Sequence, residues 1–311
     1  MAYIAVVGAA NVDIGGFPGG SVVAGDSNPG KVRTSMGGVG RNIACNAARM
    51  GLRTELVTAL GDDGGAARVR EDCARAGVGL EHALCFPGES TSTYLFIADA
   101  SGDMALAVND MEIYERMTIE CVTPLLDALN AAELAVLDAN LPAETLAFLA
   151  ENLTVPVLAD AVSAAKAGRL RGAMPWLDAV KPNRLEAELL TGIAVTDGDS
   201  ARRAAGALVR MGARRVFLTL GAHGVCCADE GGALLLPGVR AKVRNATGAG
   251  DAFTAALAWS SAKGLPLRAS ALAGMAAASI AVESMETVSG EMSEALLMAR
   301  MNEIERQIGG I

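Results

Sequence analysis

Residues 245–253 read NATGAGDAF, and this stretch decides what kind of chain follows. Thr247, Gly248, Ala249 and Gly250 form a turn with almost no side-chain bulk. From Ala252 to Ala262 good helix formers and small residues then run without interruption. A small-residue loop that opens a helix presents free backbone N–H groups at the positive end of the helix dipole, the arrangement that holds an anion, most often a phosphate. Asp251 falls in the first turn, where a carboxylate would repel a resting phosphate. A general base beside an anion pocket has a use for that position, because it deprotonates an attacking hydroxyl while the loop takes up developing charge. Plain stabilisation of the helix start accounts for Asp251 equally well.

Working outward, the preceding half of the chain has a regular rhythm of apolar runs and helical segments. Strands are expected at 134–137, 155–159, 179–180 and 216–220, with helices over 118–131, from Pro142, over 164–171, 183–190 and 201–211. Hairpin strands reach about residue 236, and three helices close the chain. Alternation of this kind gives a mostly parallel sheet with helices on both faces. Near the N-terminus, 3–9 and 54–60 read as further buried strands, and helices are expected from the glycines at 37–42 to about residue 50 and over 64–76. Residues 15–36 and 90–112 differ in texture. They carry Gly, Pro and alternating short residues, including a strand pair joined at Ser101-Gly102, and are expected to form a small sheet outside the core. The large unit is then 1–14, 37–89 and 113–311.

Polar residues recur where these strands end: Asn11 and Asp13, Asp138 and Asn140, Asp160, Asn183 and Glu186, Thr219 and Gly221, and the 247–251 loop. One such residue is usually a turn former. Six places along one carboxyl edge point to a shared site, which is where open α/β sheets bind ligands. No G-x-x-x-x-G-K-[ST] occurs, and the 37–42 glycines do not fit the dinucleotide pattern. Gly37 and Gly38 suit close backbone approach to a small polar ligand, with Asn42 supplying an amide, or they simply turn the chain into its helix. Asn183 and Glu186 lie one helical turn apart. They read locally as a capping box, and alternatively as a pair able to hold a hydrated Mg²⁺.

Composition narrows the function classes. Of 311 residues 51% are hydrophobic and 20% charged, so a large core is expected and disorder is not. Aromatics are only 4% against 36 glycines, so small residues do much of the packing. The balance of 26 basic to 35 acidic residues, with no basic stripe, argues against nucleic acid as a partner. Six scattered cysteines and two histidines offer no zinc-type spacing and suit a reducing compartment. No run is long enough to span a bilayer and no signal-like segment opens the sequence. A cytoplasmic protein is expected.

Taken together, GGVGRN at 37–42, KPNRLEAELLTG at 181–192, LTLGAHG at 218–224 and NATGAGDAF at 245–253 resemble the ribokinase (phosphofructokinase-B-type) family of sugar and nucleoside kinases, and the resemblance covers nearly the whole chain. It implies a three-layer α/β/α core with a mostly parallel sheet, plus a small β-sheet lid over the acceptor that often forms the homodimer contact. It implies ATP along the carboxyl edge, Asp251 as the base, and an anion hole from Gly248, Ala249 and Gly250. Asn183 and Glu186 would position Mg²⁺ and phosphates, Glu186 through water. Thr219, Gly221, Gly224 and Thr247 would line the nucleotide, and Asn11, Asp13, Gly37, Gly38 and Asn42 would grip the acceptor, with Thr93 reaching it from the lid. GGVGRNIACNAARMG and VNDMEIYERMT are most similar to the pseudouridine kinases of the family, which implies the 5′-hydroxyl of pseudouridine as acceptor, with ribose, adenosine, inosine or guanosine, or a ketohexose as alternatives. Asn245 stands where family members often carry an Asp linked to monovalent-cation binding, so activation by K⁺ does not carry over on the same footing. A nucleoside-binding sensor without catalysis is the alternative of another class, and the intact TGAGD argues against it.

Overall fold

Four apolar residues in a row, Ile4-Ala5-Val6-Val7, make a strand that needs cover on both faces. The computed structural model describes residues 3–99, 101 and 103–309. Its first half contains β1 (Ile4–Val7), β2 (Asn11–Pro18), β3 (Gly30–Gly37), α1 (Val39–Arg49), β4 (Thr54–Val57), β5 (Ala59–Leu60), α2 (Gly64–Ala76), β6 (Val78–Gly79), β7 (Leu84–Cys85), β8 (Thr93–Ala98) and β9 (Met104–Asp110). The second half continues with α3 (Ile119–Val122), α4 (Leu126–Asn130), β10 (Leu134–Asp138), α5 (Ala143–Asn152), β11 (Val157–Asp160), α6 (Ala164–Ala167), β12 (Ala179–Lys181), α7 (Arg184–Thr191) and α8 (Gly198–Arg210). It ends with β13 (Val216–Thr219), β14 (Gly224–Asp229), β15 (Gly232–Pro237), α9 (Ala249–Ala262), α10 (Leu267–Val282) and α11 (Glu294–Ile308).

Nine strands form one sheet in the order β15-β14-β13-β12-β11-β10-β1-β4-β6. It is parallel from β13 to β6, with β14 and β15 folded back antiparallel at one edge. β1 shows how the layers arise. Ile4 and Val6 point into a core shared with α1, α2, α9, α10 and α11, while Ala5 and Val7 point into a second core shared with α5, α7 and α8. The period of two in a strand delivers alternate residues to opposite faces. Helix α9 is buried continuously from Ala252 to Ser260, as expected of a helix apolar all round. It packs on α10 through alanines, and Gly274 has no Cβ because the Phe253 ring lies where one would be.

A second sheet of four strands, β3-β2-β8-β9, stands apart from the first. β2 continues from β1 after three residues and β3 leads directly into α1, while the chain enters the small sheet again at β8 and leaves it after β9. The small sheet begins at Asn11 and ends its second strand at Gly37, reaching closer to the core than the expected 15–36 segment. Gly15 leaves space for the Phe96 ring, which meets Phe17 edge-on with centroids 5.8 Å apart.

Several expected elements are divided, each for a local reason. The helix expected over 118–131 breaks into α3, a tight turn at Thr123–Leu125 and α4, because Pro124 lacks the N–H that would continue it. The strand expected over 54–60 splits at Thr58: β4 stays in the large sheet, and β5 pairs with β7 in a separate ribbon. The segment after α6 tightens at Gly168–Leu170, short of a full helix to 171. Ser293 caps α11, so the last helix starts at Glu294. Of the expected Ser101-Gly102 turn, Gly102 lies outside the described residues. No helix among the described residues is long and apolar enough to cross a membrane.

Candidate active site

Parallel register brings the strand-end residues together. Asp138 pairs with Asp160 across β10 and β11, Asp160 pairs with Lys181 across β11 and β12, and Asn183 bridges to Thr219. Helix α9 starts above this row. Gly248 caps it at φ 85°, and a Cβ there would run into the Thr287 carbonyl, so both backbone conformation and space require glycine. A Cβ on Gly250 would lie 2.9 Å from Lys181 Nζ, which places the ammonium directly against the first turn. Thr254, one turn on, donates to Asp160 Oδ2 at 2.6 Å, and Lys181 Nζ lies 3.0 Å from the same oxygen. Asp160 Oδ1 accepts from the Val162 N–H at 2.9 Å, with Val162 at φ 65°. A positive φ is unusual for a β-branched residue, and here it aims that N–H at the carboxylate.

Asp251 accepts a 2.8 Å hydrogen bond on Oδ2 from Asn42 Nδ2, which reaches it from α1. Its carboxyl is ringed by protein, with part of its surface left open. Burial, then the neighbouring Asp160, push it up to about 7, against the pull of the Asn42 donor and Lys181, while Asp138 adds to the rise. A carboxyl at that level accepts a proton near neutrality without being locked as an acid. Asp138, fully buried, is raised to about 6 by burial, although it accepts from the N–H groups of Ala9 and Asn140. Burial works against the Lys181 ammonium, but Asp160, Glu186 and Asp251 outweigh it and hold its pKa above the ordinary lysine value. Lys181 is thus a buried cation paired with Asp160, its charge further favoured by Glu186 and Asp251.

On the small sheet, Asn11 and Asp13 share one face of β2. Asn11 Nδ2 donates to Asp13 Oδ1, and Gly37 lies against that carboxylate with no room for a Cβ. Burial raises Asp13 to about 6, opposed by Arg41 and by the Asn11 donor. Gly38, at φ 94°, packs on the backbone of Ala9 and Ala10, so its missing side chain serves contact with the protein's own chain. Thr93 is placed differently from expectation. The register sets it beside Val12 and sets Tyr94 beside Asp13, so Tyr94 is the β8 residue that shares the Asp13 face, and the Thr93 hydroxyl donates to the Thr91 carbonyl at 3.1 Å.

Farther along the edge, Asn183 and Glu186 form a complete capping box. Asn183 Oδ1 accepts from the Glu186 N–H at 3.0 Å, while the Glu186 carboxylate accepts from the Asn183 N–H at 2.7 Å and from Nδ2 at 2.6 Å. Burial raises the Glu186 pKa, with Lys181 and the Asn183 N–H acting against it. Thr219 ends β13 with its N–H on the Pro182 carbonyl at 2.9 Å. Gly221 has φ 61°. Gly224 has φ 104°, and a Cβ there would overlap the Leu236 carbonyl, so this glycine has a packing reason of its own. Thr247 donates its N–H to Asn245 Oδ1 at 3.0 Å, and Asn245 Nδ2 donates to the Met285 carbonyl at 3.4 Å, tying the loop to the segment after α10.

Asp251, Asn42, Asn183 and Glu186, all candidates from the sequence, lie along one edge of the fold. Lys181, Thr254 and Arg41 join them without being among those candidates. Lys181 stands two residues before Asn183 at the end of β12, so its strand-end position was the available signal.

The comparisons agree with this geometry. The model of the pfkB family carbohydrate kinases matches residues 1–294. The pseudouridine kinase of Escherichia coli K12 is 35% identical over 305 residues, 97% of each chain. A carbohydrate kinase from Agrobacterium tumefaciens superposes with a TM-score of 0.86 at 30% identity, covering 97% of each chain. The ribokinase of Thermotoga maritima shares the fold at a TM-score of 0.86 and 23% identity, over 97% of this chain and all of that one. With a family match across nearly the full length and a carboxylate held at the mouth of a glycine-lined helix start, the chain belongs to the pfkB family of carbohydrate kinases and is a sugar or nucleoside phosphotransferase.

Proposed function

We propose that the protein transfers the γ-phosphoryl group of ATP to the 5′-hydroxyl of pseudouridine. The observation that carries the acceptor is the 35% identity to the Escherichia coli pseudouridine kinase over 97% of both chains. The chemistry rests on Asp251. Its carboxylate takes the proton of the acceptor hydroxyl as the O5′–Pγ bond forms and the bond from Pγ to the bridging oxygen of ADP breaks. The N–H groups of Ala249 and Gly250 take up charge on the equatorial oxygens, with Gly248 setting the turn and the Lys181 ammonium beneath it. Such a transfer asks for positioning and charge stabilisation more than covalent chemistry.

ATP lies along the carboxyl edge in this reading, with Thr219, Gly221, Gly224 and Thr247 beside it and Asn11, Asp13, Gly37, Gly38 and Asn42 around the ribosyl group. Mg²⁺ suits the donor set. One buried carboxylate, Glu186, with Asn183 beside it, matches an ion held mainly by water and phosphate oxygens. Bound there it would neutralise phosphate charge. Asn245 uses its amide on Thr247 and Met285, so a K⁺ site at this loop would rely on backbone carbonyls. The small sheet, the expected 15–36 and 90–112 extended to Asn11 and Gly37 in its first two strands, serves as a lid over the acceptor, and a second copy of the chain covers its outer face.

An ADP-release assay with Mg²⁺ and ATP tests the acceptor directly. Pseudouridine, uridine, cytidine, adenosine, inosine, ribose and fructose are compared, each with and without K⁺. Turnover on pseudouridine well above the others is expected. Preference for ribose or a purine nucleoside would overturn the acceptor and leave the base and the anion hole in place.

A further inference from the structure

The Asn42 amide meets Asp251 in one orientation, and its sequence neighbour decides which. Arg41 Nη1 donates to Asn42 Oδ1 at 2.9 Å and so engages the acceptor end of that amide. An amide held this way turns its N–H groups toward Asp251, as the 2.8 Å contact does. Arg41 Nη1 also donates to the Met36 carbonyl on β3 at 3.1 Å. Nε donates to Asp72 Oδ2 on α2 at 2.9 Å, and Nη2 donates to the same oxygen. The residue is 9% exposed, so these are desolvated, charge-assisted contacts of a planar fork, which a lysine cannot reproduce. One guanidinium therefore joins a lid strand, α2 and the amide that faces the proposed base.

We infer that Arg41 is a positioning residue for phosphoryl transfer: anchored by Asp72 and the Met36 carbonyl, it locks the Asn42 amide with its N–H toward Asp251 and makes that lock depend on where β3 stands. The inference rests on Asp251 being the base. Freed from Arg41, the amide can turn its oxygen toward the carboxylate, which favours the protonated acid and disables the base. Asp138 on β10, Asp160 on β11 and Lys181 on β12 also act on Asp251 and set its background charge. Cys45, Cys73 and Asp72 surround Arg41 itself, and Asp13 on β2 also feels its charge. Arg41 reaches the base through the amide alone in this account, and that is what a cycle can test.

Arg41→Met, Asn42→Ala, the double variant and Asp251→Asn are compared by ADP release from about pH 5 to 9. Arg41→Met is expected to lower kcat about 10- to 100-fold and move its acid limb to higher pH. In the Asn42→Ala background the same substitution is expected to change kcat no further, since groups acting as one unit are not additive. Independent losses in both backgrounds, or a fall in kcat with an unmoved acid limb, would overturn the inference and leave Arg41 a structural partner of Asp72. Arg41→Lys is expected to stay impaired, and recovery there would show that charge and not the fork matters. If Arg41→Met does not fold, Asp72→Ala removes the anchor, together with the looser Arg75 pair, and must still move the acid limb; an unmoved limb counts against the inference. Wild-type turnover in Asp251→Asn would instead remove the reading beneath it.

Discussion

As the proposed base, Asp251 stands under tension between stability and function. Burial and Asp160 raise its pKa from the ordinary 3.8 to about 7, so the folded chain holds this proton more tightly than the unfolded chain does. Between those two values the native state binds more protons, and stability falls as pH rises until the carboxylate is fully formed. The penalty is present at neutral and alkaline pH and absent below about pH 4. Asp251→Asn should therefore raise Tm at pH 8, by a gain of about 1–4 kcal/mol, and the gain should vanish as pH approaches 4. The same variant should lose about 10²- to 10⁴-fold in kcat. In the wild type, kcat should climb through an acid limb near pH 7. Calorimetry and pH–rate profiles check the two halves separately, and a variant both less stable at pH 8 and fully active would contradict both. The place of Asp251 in the first turn of α9 was legible in the sequence because its motif is contiguous. Lys181 and Arg41 were not, because their partners Asp160 and Asp72 lie on other elements and only register and packing bring them together.

At the scale of elements, the start of α9 shows why a motif can be read while its geometry cannot. TGAGD announces a small-residue turn, yet the reason for each small residue lies elsewhere in the chain: Thr287 for Gly248 and Lys181 for Gly250. Gly264, at the end of the same helix, provides the contrast. It has φ 66° with open space where a Cβ would go. Gly264→Ala should cost about 1 kcal/mol of backbone strain and leave turnover unchanged. Gly248→Ala carries the same kind of strain plus overlap with a carbonyl that cannot rotate away. It should cost about 2–4 kcal/mol and displace the loop enough to abolish most activity. Thermal melts and ADP release on the pair decide this, and equal effects of the two substitutions would mean that the Thr287 contact does not hold the loop. Helices such as α2 were legible to the residue because Asp63 and Gly77 mark its ends as cap and left-handed stop. The stretch from 118 to 131 was misread because an apolar rhythm continues through Pro124 while the backbone cannot.

For the whole molecule, the two faces of the small sheet face different surroundings. Asp13 and Tyr94 share one face, the one proposed to meet the acceptor, with Phe17 and Phe96 farther along it. The register puts Val32, Ile14, Leu95, Ile97, Leu106 and Val108 on the opposite face. Leu106 is 63% exposed, Val108 58% and Val32 74%. A contiguous apolar face of this kind, flanked by the edge strands β3 and β9, is costly in water and exposed to unwanted pairing. A second copy of the same sheet is the economical cover, because a two-fold axis lets each face bury the other. The protein should then run at twice the 31.6 kDa chain mass at micromolar concentration. Leu106→Asp with Val108→Lys should release monomers without unfolding the large sheet, since both side chains lie outside its cores. Because β3 also carries the Met36 carbonyl that Arg41 holds, the monomeric variant should lose part of its kcat as well, while the helix signal of the large unit stays intact. Light scattering on both proteins, followed by turnover at matched concentration, makes the comparison. A wild-type monomer would leave the apolar face to another partner, and a monomeric variant of full activity would show that dimerisation does not tune the lid.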